Sequence, residues 1–276
     1  MTSTSTRNRT RTVAHVRHTA TGSAGATVAR AGLIARGVIY LLIGWVALML
    51  AMGRSNKEAD QSGALQSLAH KHYGSTALWL LAIGFAAYAL WRISEAFFGV
   101  TGEGDGAGPR LKSAFRGVVY AFFAVTTISI LHGSGNSQAK TQQDMTARVM
   151  RHSGGQWAVG IVGGVVVLVG LMLVAEGLRR KFLKTLRLDQ MSARTRSTVT
   201  ALGVIGTTAR GIVFTVAGAL VIEAAKTFNP AKARGLDEAL RTMQSRAYGS
   251  VILGAAAIGL VIFGLYGLCE ARWRKV

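Results

Sequence analysis

Little in this sequence can cross-link the chain, break a helix or carry negative charge. A single cysteine, Cys269, excludes an intrachain disulfide and a thiolate metal cluster. Two prolines in 276 residues leave long helices free to run. Only 12 acidic residues stand against 32 basic ones, for a net charge of +20, and no Asp or Glu precedes Glu58. No window alternates apolar and polar residues with a period of two, which argues against a β-barrel. The six histidines, at 15, 18, 70, 72, 132 and 152, lack paired metal-ligand spacing. No nucleophile elbow, phosphate loop or zinc-protease signature occurs. Gly102, Gly104 and Ala107 match a dinucleotide fingerprint in letters only, since no strand precedes them and Glu103 and Asp105 would repel a pyrophosphate. The expectation is a protein without catalytic activity and without a cofactor.

What is present is apolar: half of the residues are hydrophobic, and most of the 34 glycines sit inside apolar runs. The run after Arg36 carries no charge through Gly53. Six segments approach the roughly 20 residues that a bilayer core of ~30 Å requires. They are predicted at 33–53, 75–97, 113–132, 156–178, 203–225 and 250–270. Basic residues flank these runs instead of lining a soluble face, so anionic lipid is the expected partner and nucleic acid is not.

Comparing the segments reveals a repeat. Arg36, Arg116 and Arg210 are each followed by glycine and, one helical turn on, by Tyr40, Tyr120 and Phe214. Gly74, Gly155 and Gly249 each precede a glutamate (Glu95, Glu176, Glu270) by 21 residues. From arginine to glutamate the separations are 59, 60 and 60 residues. The sequence thus predicts an all-α integral membrane fold: six transmembrane helices as three parallel two-helix repeats in a pseudo-threefold arrangement. A basic tail occupies 1–27, and the repeats occupy 28–99, 111–182 and 200–274. Short interfacial helices are expected at 63–69 and 235–243, anchored by Tyr73 and Tyr248, with a degenerate middle copy near Thr146 to Met150. Loops on the side of both termini hold 21 basic residues against 11 opposite, which predicts cytoplasmic termini in the cell membrane.

The openings Ala35-Arg36-Gly37-Val38-Ile39-Tyr40 and Ala209-Arg210-Gly211-Ile212-Val213-Phe214 carry a family resemblance, as do the stretches 87–96 and 265–272. They are similar to the bacterial membrane family built on the domain of unknown function 1206, in which a helix pair occurs three times. The middle copy departs most, with Phe115 before its arginine and Met172 where Trp91 and Tyr266 stand. The resemblance implies the fold and brings no activity.

The candidate residues are therefore the charges. Arg36, Glu95, Arg116, Glu176, Arg210 and Glu270 are expected at one depth, where opposite charges reduce the ~3 kcal/mol cost of an ion in the membrane. They either clamp the fold or ring an axis as a site for an ion or anionic solute, and spacing leaves open whether pairs form within or across repeats. Pairs of small residues (Gly160 with Gly164, Ala82 with Ala86, Ala255 with Gly259) are expected to let helices approach, or to form a dimer surface. Arg179, Arg180, Lys181, Lys184 and Arg187 interleave with Phe182, Leu183, Leu186 and Leu188, predicting a segment whose apolar side chains dip into the interface while its cations meet lipid. The functional expectation is a structural or interaction component with a membrane-protein partner or a second copy of itself, or else a small transporter or channel.

Overall fold

A computed structural model describes residues 23–54, 57–69, 72–99, 107–133, 137–245 and 248–275. The basic tail up to residue 22, residues 102–106 of the glycine fingerprint, and His15, His18 and His70 lie outside the described residues. Six long helices carry the spans: α1 (Ser23–Ala51), α3 (Gly74–Phe98), α4 (Ala107–Leu131), α6 (Gly155–Leu178), α7 (Ala193–Thr227) and α9 (Gly249–Trp273). Three short ones join them: α2 (Gln61–Ala69), α5 (Gln138–Met150) and α8 (Leu236–Gln244). All six long helices are apolar enough to cross a bilayer, so this is a multi-pass membrane protein.

Two spans extend well past their apolar runs at the N-terminal side. The first helix begins ten residues before the predicted 33, because the alanine-rich stretch Ser23 to Gly32 contains nothing that stops a helix. It therefore takes up the end of the region predicted as tail. The 35-residue α7 starts at Ala193, where the Ser192 hydroxyl accepts from the Thr195 N–H at 3.2 Å and caps the first turn. Gly53 and Gly133, both at positive φ, end α1 and α4.

The middle short helix is not degenerate. At 13 residues α5 is the longest of the three, capped by Ser137, whose hydroxyl accepts from Lys140 N–H at 2.9 Å. A serine cap and a good helix-forming composition suffice where hydrophobic periodicity is weak. The three short helices pack over one end of the bundle, with Leu65, Leu240 and Ala239 fully buried. Tyr73 and Tyr248 point outward and are strongly exposed.

The long helices pack mainly across repeats. The tightest neighbours are α3 with α4, α6 with α7, and α9 with α1. Each joins the second helix of one repeat to the first helix of the next, which is the pseudo-threefold relation. Within repeats, α1 touches α3 and α7 touches α9, but α4 and α6 barely meet. The six helices run in the order α4, α3, α1, α9, α7, α6, with the middle repeat split between the two ends. The hairpin expected for that repeat is open because its small residues face its neighbours.

Those residues recur every seven positions, two turns apart on one face. One and eight residues after each arginine stand Gly37 and Gly44, Gly117 and Ala124, Gly211 and Gly218. Six and thirteen before each glutamate stand Ala89 and Ala82, Gly170 and Gly163, Gly264 and Ala257. The two sets meet: a Cβ on Gly211 would lie 2.8 Å from Gly170 O, on Gly218 2.9 Å from Gly163 O, and on Gly37 2.9 Å from Gly264 O. The i,i+4 pairs read from sequence divide between packed and open positions. Gly164 has open space around it and Ala255 is exposed, while Gly160 meets Ala225 Cβ at 3.9 Å, Ala82 and Gly259 are buried, and Ala86 packs on the core.

Between the seams the interior is apolar. Leu33, Ile39, Ile43, Val46 and Leu50 of α1 meet Phe85, Leu253, Leu260, Val213 and Leu220 in one continuous core.

Candidate functional site

At the end of the bundle where α1 begins and α9 finishes, the repeat arginines converge with aromatic rings. Arg36 comes from α1 and Glu270 from α9, so their ion pair crosses from the first repeat to the third. Arg274, one turn beyond Glu270, donates to the other carboxylate oxygen. Glu270 is thereby held between two guanidinium groups, the arrangement in which a buried carboxylate keeps its charge.

The equivalent α3–α4 seam is built differently. Glu95 accepts from Arg92 Nη1 at 2.7 Å, on its own helix, and from the Ser113 hydroxyl of α4 at 3.1 Å. Arg92 is 2% exposed, yet every part of it is engaged. Its Nε and Nη2 donate to the Tyr88 hydroxyl at 3.0 and 2.8 Å, and its plane lies over Trp91 at 4.4 Å. Arg116 is half-buried and carries no ion pair among the described residues.

The third seam has neither arrangement. Arg210 lies over Tyr40, Phe214 and Phe263 at 5.2, 5.0 and 4.9 Å, a cation held by three ring faces. Its Nε is buried without a hydrogen-bond partner. Glu176 is half-buried and forms no ion pair with it. The six sequence-derived charges thus include one direct pair, Arg36 with Glu270. Arg92 enters the cluster although no repeat position announces it, and Arg274 enters from a place four residues after its glutamate that it shares with Arg180. Their offsets from the glutamates, three before and four after, were a usable signal, because both place the side chain on the glutamate's face.

The aromatic residues one turn after the arginines complete the cluster. Tyr40 meets Phe263 edge-on at 4.7 Å, and Tyr120 meets Tyr88 at 4.5 Å. Five arginines (36, 92, 116, 210, 274) face three glutamates, so the cluster is net positive.

At the opposite end, one loop from each repeat joins a second polar network. Glu58 accepts from Ser137 at 2.5 Å and pairs with Arg234 at 3.5 Å. The Ser62 hydroxyl accepts from Gln138 N–H at 3.0 Å, and Asp237 accepts from Ala59 N–H at 3.0 Å and from Arg241 at 2.9 Å. Beside them Asp60 caps α2 through Ser62 and Gly63. Burial pushes the Asp60 carboxyl up from its ordinary value, partly offset by those hydrogen bonds, and the nearby Glu58 and Asp237 carboxylates push the same way.

In the basic segment, Arg179, Arg180, Lys181 and Lys184 are exposed and Arg187 is half-buried. Phe182 and Leu186, expected to dip into lipid, instead face inward. Phe182 packs on Tyr266 at 5.2 Å and over Gly203, and Leu186 is 1% exposed. The segment folds back because its backbone pairs with the chain end, Arg187 N–H donating to Trp273 O at 2.8 Å and Lys275 N–H to Thr185 O at 2.9 Å. That pairing buries the apolar side chains under the bundle.

A curated protein of Bacillus subtilis (strain 168), "Uncharacterized protein YxxB", is 30% identical over 250 residues, covering 90% of each chain. No solved structure matches the chain. The family described as Domain of Unknown Function (DUF1206) matches three times, at 31–99, 111–180 and 205–274, each match spanning one arginine-to-glutamate repeat. The chain therefore belongs to that family.

Proposed function

We propose that this protein acts without catalysis, as a structural or interaction component of the cell membrane with both termini in the cytoplasm. The observation that carries the reading is the way the cluster's charges serve one another: Glu270 is saturated by Arg36 and Arg274, and Glu95 by Arg92 and Ser113. Groups so occupied fix the seams and are not free to turn over a substrate. The continuous apolar core beside them, from Leu33 through Leu260, supports the same reading, since a transporter requires a hydrated cavity near the midplane. The test is purification of the full chain in mild detergent after cross-linking in intact cells. A stoichiometric membrane-protein partner or a defined homo-oligomer is the expected result. A lone monomer that moves solute when placed in vesicles would overturn it.

One observation favours a second reading. Arg116 and Arg210 stand in the cluster with no carboxylate partner among the described residues, and two spare cations suit an ion or anionic-solute site. Anion flux into proteoliposomes that disappears in Arg116→Gln while the protein still folds would favour it.

A further inference from the structure

A surface cleft of about 760 Å³ opens beside the start of α7, at the same end as both described chain termini. Arg180, Leu188, Met191, Arg196, Thr200 and Ile205 are among its lining residues. The lining runs from Ala193 to Ile205, about 18 Å along the helix at 1.5 Å per residue. Its chemistry changes along that length. Arg196, Ser197 and Thr200 form the outer part, with Arg180 approaching from the end of α6; Ala201, Val204 and Ile205 form the inner part. No carboxylate is among the lining residues.

The depth of this change is fixed by the α6–α7 seam. Gly177, in the last turn of α6, packs against Thr208 and Val204. Arg179 and Arg180 follow directly, so the polar part of the cleft begins where the apolar run of α6 ends. Ile205 is half-exposed on the lipid side of that level. The far wall is firm: Leu188 and Met191 pack on the cluster of Phe182, Leu186, Val199 and Tyr266.

We propose that this cleft binds one anionic phospholipid of the bilayer. Its phosphodiester is held by the guanidinium groups of Arg180 and Arg196, with the Ser197 and Thr200 hydroxyls beside it. One acyl chain lies along Val204 and Ile205. Guanidinium forks suit phosphate oxygens, and an amphipathic cleft at the interface suits a molecule that is anionic at one end and apolar at the other. The occupant is distinguished from the diffuse attraction of the basic segment by position: Arg179 and Lys181 are equally juxtamembrane but do not line the cleft.

The experiment uses the full chain in nanodiscs of phosphatidylcholine with increasing phosphatidylglycerol, reading retained phosphatidylglycerol by native mass spectrometry after release into detergent. One retained lipid per chain is expected. The exposed pair Arg180→Gln/Arg196→Gln should lower its retention at least about tenfold, the order two interfacial cations support, while Arg179→Gln/Lys181→Gln should not. Equal loss in both double variants would overturn the proposal in favour of a diffuse basic surface. Displacement of the lipid by millimolar inorganic phosphate would reassign the cleft to a free phosphate. Unchanged retention in Arg180→Gln/Arg196→Gln, with the protein monodisperse, would remove the site.

Discussion

Arg36 and Glu270, 234 residues apart in the chain, share an ion pair that ties the first helix to the last. Arg274 uses the second oxygen of the same carboxylate. Glu270→Gln therefore leaves two part-buried guanidinium groups without a counter-charge, a loss of at most the ~3–5 kcal/mol of a broken fully buried pair. A sharp drop in monodisperse protein on detergent size exclusion is expected. The double variant Arg36→Gln/Glu270→Gln should recover part of it, because fewer uncompensated charges remain. Normal accumulation of Glu270→Gln and of Arg36→Gln alone would show that the pair does not clamp the seam.

The glycine seams make a position-specific prediction. A Cβ on Gly170 would sit 2.6 Å from Thr215 N and 2.9 Å from Gly211 O, both backbone atoms of α7. Gly170→Ala should lower stability by ~1–3 kcal/mol through overpacking. Gly164→Ala, six residues earlier with nothing within 4 Å, should be neutral or slightly stabilising through helix propensity. Thermal unfolding followed by fluorescence size exclusion distinguishes the two.

The end network makes a pH prediction. The Asp60 carboxyl is pushed above its ordinary value of 3.8 by burial. A group whose folded pKa is raised contributes stability that is complete below the unfolded value and is lost as pH rises through the folded one. Asp60→Asn should accordingly melt higher than wild type at neutral pH, and the difference should close below about pH 4. A difference that widens on acidification would contradict this assignment.

Orientation is tested by accessibility. In a Cys269→Ser background, a cysteine at Lys140, exposed on α5, should react with a membrane-impermeant maleimide in intact cells. One at Arg194, exposed near the start of α7, should react only after lysis. Reaction at Arg194 in intact cells would invert the orientation.

Repetition is what the sequence by itself determined. Six apolar runs, three arginine–aromatic openings and near-constant spacing to three glutamates set the span count and the repeat. Those are properties of a helix's period and of the bilayer's thickness, and both act locally. The stripes of Gly37 and Gly44 or of Gly163 and Gly170 are written in the sequence too, at a spacing of seven and not of four.

Tertiary structure alone decided which helices meet. Arg36 and Glu95 lie in one repeat with ideal spacing, yet Arg36 pairs with Glu270 while Glu95 takes Arg92. The reason is that close approach belongs to whichever faces are bare of side chains, and those faces look across the repeats. Phe182 and Leu186 turned inward for a related cause: the backbone pairing of residues 185–187 with the chain end has no signature in either segment alone. Charge and period place residues at a depth. Only packing chooses their neighbours.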